Sequence, residues 1–300
     1  MGSMSKSRRL AYLALVTTVL IWGVAFPFIK PALDIITSTQ YLYFRFLTAG
    51  LVALPIFLWY YIKVRPKTSY LIKVVLIELL GTIPLYFLYE GLARTSSLDA
   101  SILGSIGPIF ITLGGIYFLH ERQSIREWQG LGLALLGSII LVVAPIFTGT
   151  TDTPSSTIGN LLIMGYNIVY TLYALLAKHI YKSKPPLFVG SPAFLLSALI
   201  YGLLLSSSNS LPQLSLLISN TTILWPVLYM AVPGGILAFA LHLYAVGKIE
   251  VSEANLFTYL NGVVAIPAAY LLLGESPTWP TLIAIAVIAY GVYKAEVRHS

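Results

Sequence analysis

The sequence predicts an all-α integral membrane protein: ten transmembrane helices arranged as two inverted-topology five-helix repeats. Three observations carry that prediction. Of the 300 residues, 57% are hydrophobic and only 10% are charged, too little polar surface to coat a soluble globule. The apolar residues fall into ten runs of about 20, the length a helix needs to cross a hydrocarbon core roughly 30 Å thick. Short motifs of the first half then recur in the second at a nearly constant spacing.

Span 1 (10–30) follows Arg8 and Arg9; its apolar stretch is too long for a signal peptide and no small-x-small cleavage site follows. Span 2 (40–62) opens on YLYFRFLTAG, and span 3 (72–93) lies beyond the basic loop 63–73. Span 4 (97–119) contains SLDASILGSIGPIF, where Gly104 to Pro108 is a point at which a helix can break. Span 5 (126–148) begins behind Ser124-x-x-Glu127, a capping-box pattern. Span 6 (158–181) follows the short connection Phe147 to Ile158. Spans 7 and 8 (187–206 and 222–247) share a stretch without charge, 185–247, and are divided at the polar segment Ser206 to Thr222, where loop signals gather. Span 9 (252–273) opens on VSEANLF, and span 10 (278–296) follows Ser276-Pro277, a cap residue ahead of a proline at the first helical position.

The charge distribution orients these spans. With the N-terminus inside, the Lys and Arg residues before span 1, in loop 63–73, near 122–126 and 178–184, and from Lys248 onward all fall on one side; Lys30 and Arg94 fall on the other. The positive-inside rule then puts both termini in the cytoplasm, as expected of a multi-pass protein of the plasma or inner membrane. The +7 excess is a topology signal rather than a nucleic-acid surface, because the basic residues sit at span ends and not on one polar face. The basic loop 63–73 reads as an anchor at the lipid surface. The chain has no cysteine, and its four histidines lack His-Glu-x-x-His spacing, so thiolate zinc sites and cysteine nucleophiles are excluded and no cofactor or metal is expected.

At an offset of 154, SLDASIL (Ser97 to Leu103) lies over VSEANLF (Val251 to Phe257), Gly137 over Gly291, and Glu121 of the first Leu-x-Glu junction over Glu275 of the second. An earlier block aligns at 148, bringing Trp22 over Tyr170 and Lys30 over Lys178. Each unit therefore holds five spans: residues 4–148 and 158–298, joined by the linker 149–157. Five is odd, so the second unit enters the membrane from the opposite side. Inverted repeats of this kind serve alternating access about a midplane site, which points to transport.

The order and doubling of IWG in span 1, YLYFRFLTAG with Arg45 in span 2, SLDASILGSIGPIF through span 4 and the two Leu-x-Glu junctions resemble the drug/metabolite transporter superfamily, in particular its EamA-type ten-helix members that export amino acids and other metabolites. The resemblance covers nearly the whole chain. It implies a central cavity lined mainly by spans 1, 3, 4, 6, 8 and 9. One departure is that Asn261-Gly262 stands where the first repeat has Gly107-Pro108, the nearest proline being Pro267, so the break in span 9 is expected elsewhere.

Candidate site residues lie about ten residues from a span end, near mid-depth for a rise of about 1.5 Å per residue. Trp22 and Tyr170 are repeat mates there; Tyr166, Asn167, Tyr170 and Tyr173 form a stripe at i, i+1, i+4, i+7. Each aromatic either lines a part-hydrated cavity or packs with its polar tip bonded to a neighbouring helix. Tyr86, Tyr89 and Glu90 share a turn of span 3, with Glu78 two turns earlier. An ionisable group in a span is a functional candidate, although Glu90 has Arg94 at i+4 and Arg45 on span 2 as partners for a structural ion pair. Glu78 lacks a sequence-local partner, leaving snorkelling to the interface or lining the cavity. His242 in span 8 and Asn261 in span 9 complete the substrate-binding set; each has a packing alternative. Glu78, Glu90 and His242 are the candidates for coupling.

Other features read as structure. Gly130 and Gly137, matched by Ala284 and Gly291, form a small-residue stripe for close helix packing, with a homodimer seam as the alternative to a monomer. Glu121 and Glu275 read as turn-and-cap residues for spans 5 and 10. Asn220-Thr221-Thr222 matches a glycosylation sequon in the loop before span 8.

The expected function is secondary transport of a small molecule, an amino acid or similar neutral, zwitterionic or aromatic solute, by export. No nucleotide-binding motif is present. A polyanion fits less well, since phosphorylated substrates would call for Lys or Arg near the midplane and none is found there. The alternatives are a flippase for a lipid-linked head group or, on weaker grounds, a membrane enzyme or receptor.

Overall fold

The structure, a computed structural model, describes residues 6–119, 125–148, 156–181, 190–212, 214–246, 248 and 251–296. Its elements are α1 (Lys6–Leu33), α2 (Ser38–Val64), α3 (Thr68–Arg94), α4 (Ser97–Ser105), α5 (Gly107–Leu119), α6 (Ile125–Thr148), α7 (Thr157–Tyr181), α8 (Gly190–Ser207), α9 (Leu214–Ser219), α10 (Thr221–Ala231), a π-helical turn (Val232–Leu237), α11 (Ala238–Val246), α12 (Val251–Leu273) and α13 (Trp279–Glu296). Five described helices are long and apolar enough to cross a membrane: Ser7–Leu33, Ser38–Val64, Thr68–Arg94, Thr157–Leu176 and Thr221–His242. Shorter apolar helices, Ser97–Ile111, Trp128–Ala144, Ser191–Ser207, Phe257–Leu273 and Trp279–Gly291, occupy the places of the remaining expected spans. Glu121, Ser124 and residues 149–155 of the linker lie outside the described residues.

Two proline-glycine segments decide where helices break. Pro108 has no N–H to offer Gly104, and its ring crowds that carbonyl; α4 ends at Ser105 and α5 resumes at Gly107, with Ile106 between them. Pro233 likewise leaves the Tyr229 carbonyl without its usual donor, and the chain loosens into the π turn. The second repeat is therefore broken in span 8, whereas α12 continues through Pro267. Prolines also lie within α1, α2 and α3.

The two halves meet as a two-fold pair. α6 packs on α13, α2 on α8 and α4 on α12, each joining a span to its own repeat mate. α3 packs on α7 and α1 on α11, pairings that interchange under the same operation. The contacts are self-complementary at residue level. A Cβ on Gly137 would lie 2.7 Å from Ile288 Cγ1 and 3.0 Å from the Ala284 carbonyl oxygen; one on Gly291 would lie 2.6 Å from the Ala134 nitrogen and 2.7 Å from the Gly130 carbonyl oxygen. Moving each residue by 154 converts the first contact into the second. A Cβ on Gly50 would likewise meet Leu195 and one on Gly202 would meet Tyr43, at a spacing of 152. In both pairs residue numbers run in opposite directions, so mates are antiparallel and the halves are inverted. Close backbone approach supplies the dispersion that holds helices together in lipid. The stripe is buried between the halves of one chain, not presented to a second copy.

Candidate functional site

The aromatic and polar groups inside the bundle fall into three neighbourhoods. In the first, Trp22 of α1 donates its indole N–H to the Gly234 carbonyl in the π turn at 2.9 Å, and its ring lies 5.6 Å from that of His242 in α11. Tyr229 returns a bond from its hydroxyl to the Ile21 carbonyl at 2.6 Å, and Thr18 Oγ1 bonds the Ala238 carbonyl at 3.3 Å. The π turn frees carbonyls that α1 satisfies, so the Trp22 N–H is occupied and only its half-buried ring remains for a solute. Glycine is needed beside it: a Cβ on Gly234 would lie 2.7 Å from Met230 Sδ, and one on Gly23 would lie 2.6 Å from Val264 Cβ.

The second neighbourhood is the α7 stripe. Rings of Tyr166 and Tyr170 lie 5.5 Å apart, as do those of Tyr170 and Tyr173. The stripe ends on a carboxylate, because Tyr173 donates its hydroxyl to Glu78 Oε1 of α3 at 3.2 Å. Glu78 is thus held from another helix rather than snorkelling free. On the same helix Asn167, 1% exposed, donates Nδ2 to the Leu103 carbonyl at 2.9 Å. In an unbroken helix that carbonyl would meet Gly107, so Asn167 mends the break between α4 and α5. Since the carbonyl only accepts, the amide orientation is settled and Oδ1 points elsewhere. Among the described residues that oxygen has no hydrogen-bond partner, and neither does Oδ1 of Asn261 on α12. Leaving a buried amide oxygen unpaired costs about 1–3 kcal/mol.

The third neighbourhood surrounds Arg45 of α2, which the sequence presented only as part of a motif and as a partner for Glu90. Its Nη1 donates to the Tyr89 hydroxyl at 2.8 Å. The guanidinium carbon lies 5.4 Å from the Tyr89 ring centre and 5.5 Å from that of Phe46. Tyr89 is stacked on Tyr41 at 5.1 Å and Phe46 on Tyr201 at 5.9 Å, so the cation rests on two layered aromatic platforms. Tyr166 of α7 and Tyr201 of α8 are within electrostatic reach. A guanidinium at the centre of a span costs about 2.5–3.5 kcal/mol on insertion scales; Arg45, seven residues beyond Ser38, lies nearer the end of α2, where the cost is smaller and these ring faces reduce it further.

The Tyr86–Tyr89–Glu90 turn does not stay together. Tyr89 is 1% exposed, inside the core against Arg45, whereas Tyr86 is 41% exposed. Glu90 pairs with Arg94 at 2.8 Å near the end of α3, the i+4 ion pair that the sequence allowed; Arg45 turns to Tyr89 instead.

Two charged groups missed as tertiary ties lie at this same end. Lys30, 6% exposed, donates Nζ to the carbonyls of Leu92 and Ala93 at 2.8 and 2.9 Å, capping α3. Glu275 accepts from the Ser97 and Leu98 backbone amides at 3.1 and 3.0 Å and from the Ser97 hydroxyl at 2.8 Å. It therefore caps α4 in the other half, not span 10 as expected. Span 10 starts at Trp279, where Thr278 rather than Ser276 takes the capping position, accepting weakly from the Thr281 amide at 3.4 Å. Asn220 of the sequon caps α10 by accepting from the Thr222 amide.

The EamA-like transporter family profile matches residues 9–143 and again 157–294. An uncharacterized transporter of Archaeoglobus fulgidus is 25% identical over 284 residues, covering 94% of this chain and 97% of that protein. A probable amino-acid metabolite efflux pump of Salmonella typhimurium is 27% identical over 295 residues, covering 96% and 94%. A solved crystal structure superposes with a TM-score of 0.64 over 95% of this chain and 96% of the other, at 17% identity, a likeness of fold.

Proposed function

The chain belongs to the EamA-like transporter family, and on that footing we propose that it is a secondary transporter exporting an amino acid or a similar neutral, zwitterionic or aromatic solute by alternating access. The observation that carries this reading is the self-complementary contact of Gly137 and Gly291 across the two halves, since two equivalent bundles can rock about a shared midplane. The amino-acid class is supported by the named efflux pump in Salmonella typhimurium. It is also supported by the buried acceptors at Asn167 and Asn261, which suit the N–H donors of an ammonium or amide. In this proposal Trp22, Tyr86, Tyr166, Asn167, Tyr170, Tyr173, His242 and Asn261 line the path, and Glu78 is the first candidate for coupling. Tyr89 and Glu90 act at its edge, through Arg45 and Arg94. The protein sits in the plasma or inner membrane with both termini cytoplasmic.

Counterflow in proteoliposomes loaded with amino acids, amines, nucleobases and sugars, with a pH step as second variable, tests the proposal. Accelerated exchange of at least one amino acid is expected. A folded protein that exchanges none of the panel would sink it.

A further inference from the structure

We infer that Arg45 is the subsite for the carboxylate of the transported solute, so that the protein selects monocarboxylates over their amides and amines. The inference rests on the transport reading above and specifies the chemistry of its site. Arg45 is half-buried in α2 and lies over the rings of Phe46 and, from α3, Tyr89, with Tyr166 of α7 and Tyr201 of α8 within electrostatic reach. Among the described residues only one of its several N–H donors is used on a protein acceptor, and that acceptor is the neutral Tyr89 hydroxyl. Its other contacts are the faces of Tyr89 and Phe46. Among the described residues no carboxylate pairs with it, while Glu90, one residue beyond its phenol partner, is committed to Arg94.

Lys30 shows what this fold does with a buried cation whose role is structural. It is 6% exposed and directed at two helix carbonyls. Arg45 instead lies over the faces of two aromatic rings, and among the described residues most of its hydrogen-bonding fork meets no protein acceptor. A planar guanidinium fork matches a carboxylate in two parallel hydrogen bonds, and aromatic neighbours strengthen such a pair by excluding water. Among the described residues the ring faces around Arg45 gather one guanidinium and no second cation, which suits a single negative charge rather than a phosphate or dicarboxylate. Tyr166 lies within electrostatic reach of Arg45 and starts the ring ladder to Tyr170 and Tyr173, an apolar path for the remainder of an aromatic or aliphatic amino acid.

The test uses the purified full chain with L-phenylalanine, L-phenylalaninamide and phenethylamine as probes, in counterflow and in thermal-shift binding. Wild-type protein should prefer L-phenylalanine over the other two by about tenfold or more. Arg45→Gln should raise its half-saturation roughly 10- to 100-fold, the loss expected for a charge-assisted pair, while changing the amide by less than about threefold; Arg45→Lys should fall between. Equal losses for all three probes in a folded Arg45→Gln protein would overturn the inference and leave Arg45 a packing clamp. Should that variant not fold, wild-type selectivity decides: an amide as effective as the amino acid overturns it. If wild type takes none of the three probes, the amino-acid reading fails first. The Arg45 inference is then judged on 3-phenylpropionate, whose binding must be present in wild type and lost or weakened in Arg45→Lys.

Discussion

Glu275 accepts two hydrogen bonds from Ser97, one from the backbone amide at 3.1 Å and one from the hydroxyl at 2.8 Å, although 178 residues separate them. A carboxylate from the second repeat thus supplies the missing partners at the first turn of a helix in the first. Glu275→Ala removes these charge-assisted bonds and should cost about 1–3 kcal/mol, read as a lowered midpoint in thermal unfolding of the detergent-purified protein. Glu275→Gln keeps an acceptor and should recover part of the loss. No change in either variant would mean that water serves the α4 amides equally well.

Gly291 has no room for a side chain, because the nearest atoms are the Ala134 nitrogen and the Gly130 carbonyl oxygen, both backbone. Gly291→Ala should therefore force the halves apart and destabilise by about 1–3 kcal/mol. Gly132→Ala, one helix face away with nothing within 4 Å of the added carbon, should instead be neutral or gain up to about 1 kcal/mol from helix propensity. Thermal midpoints of the two variants, measured side by side, check the contrast.

Trp22→Phe retains a ring beside His242 but leaves the Gly234 carbonyl without its indole donor. The expected cost is about 1–3 kcal/mol of stability. Half-saturation in counterflow should change little, because the N–H is spent inside the protein. A large rise in half-saturation at unchanged stability would show that the indole N–H serves the solute instead.

Asn261→Leu removes an oxygen that has no hydrogen-bond partner among the described residues. Stability should hold or rise, while exchange should fall if the solute supplies the missing donor. Unimpaired exchange would remove Asn261 from the path. Asn167→Leu should lose both, since its Nδ2 also mends the α4–α5 break.

The spans, the five-helix repeat and its inversion were legible in the sequence because they rest on apolar length, charge asymmetry and a fixed offset. The ladder of Tyr166, Tyr170 and Tyr173 was legible for a similar reason: helical spacing alone places them on one face. What each polar tip bonds was not. Trp22 meets a carbonyl freed by a π turn, and nothing in VPGGIL states that the turn will open toward α1. Glu275 sits two residues beyond α12 and four before α13, and the docking of the halves brings Ser97 to it. Arg45 was visible as a charge within a span, yet its freedom from carboxylates depends on Glu90 having chosen Arg94. The second repeat breaks in span 8, where Pro233 precedes two glycines, whereas α12 continues through Pro267.

The paired contacts of Gly137 and Gly291 also constrain the energetics of resting preference. Under the proposed alternating access, swapping the roles of two equivalent halves turns one open form of the molecule into the other, so identical mates contribute equally to both. Any bias toward one form must then come from positions where mates differ: Trp22 against Tyr170, Gly107 against Asn261, and Arg45 against Ser197. The same few departures from symmetry that shape the site also decide which side of the membrane it faces at rest.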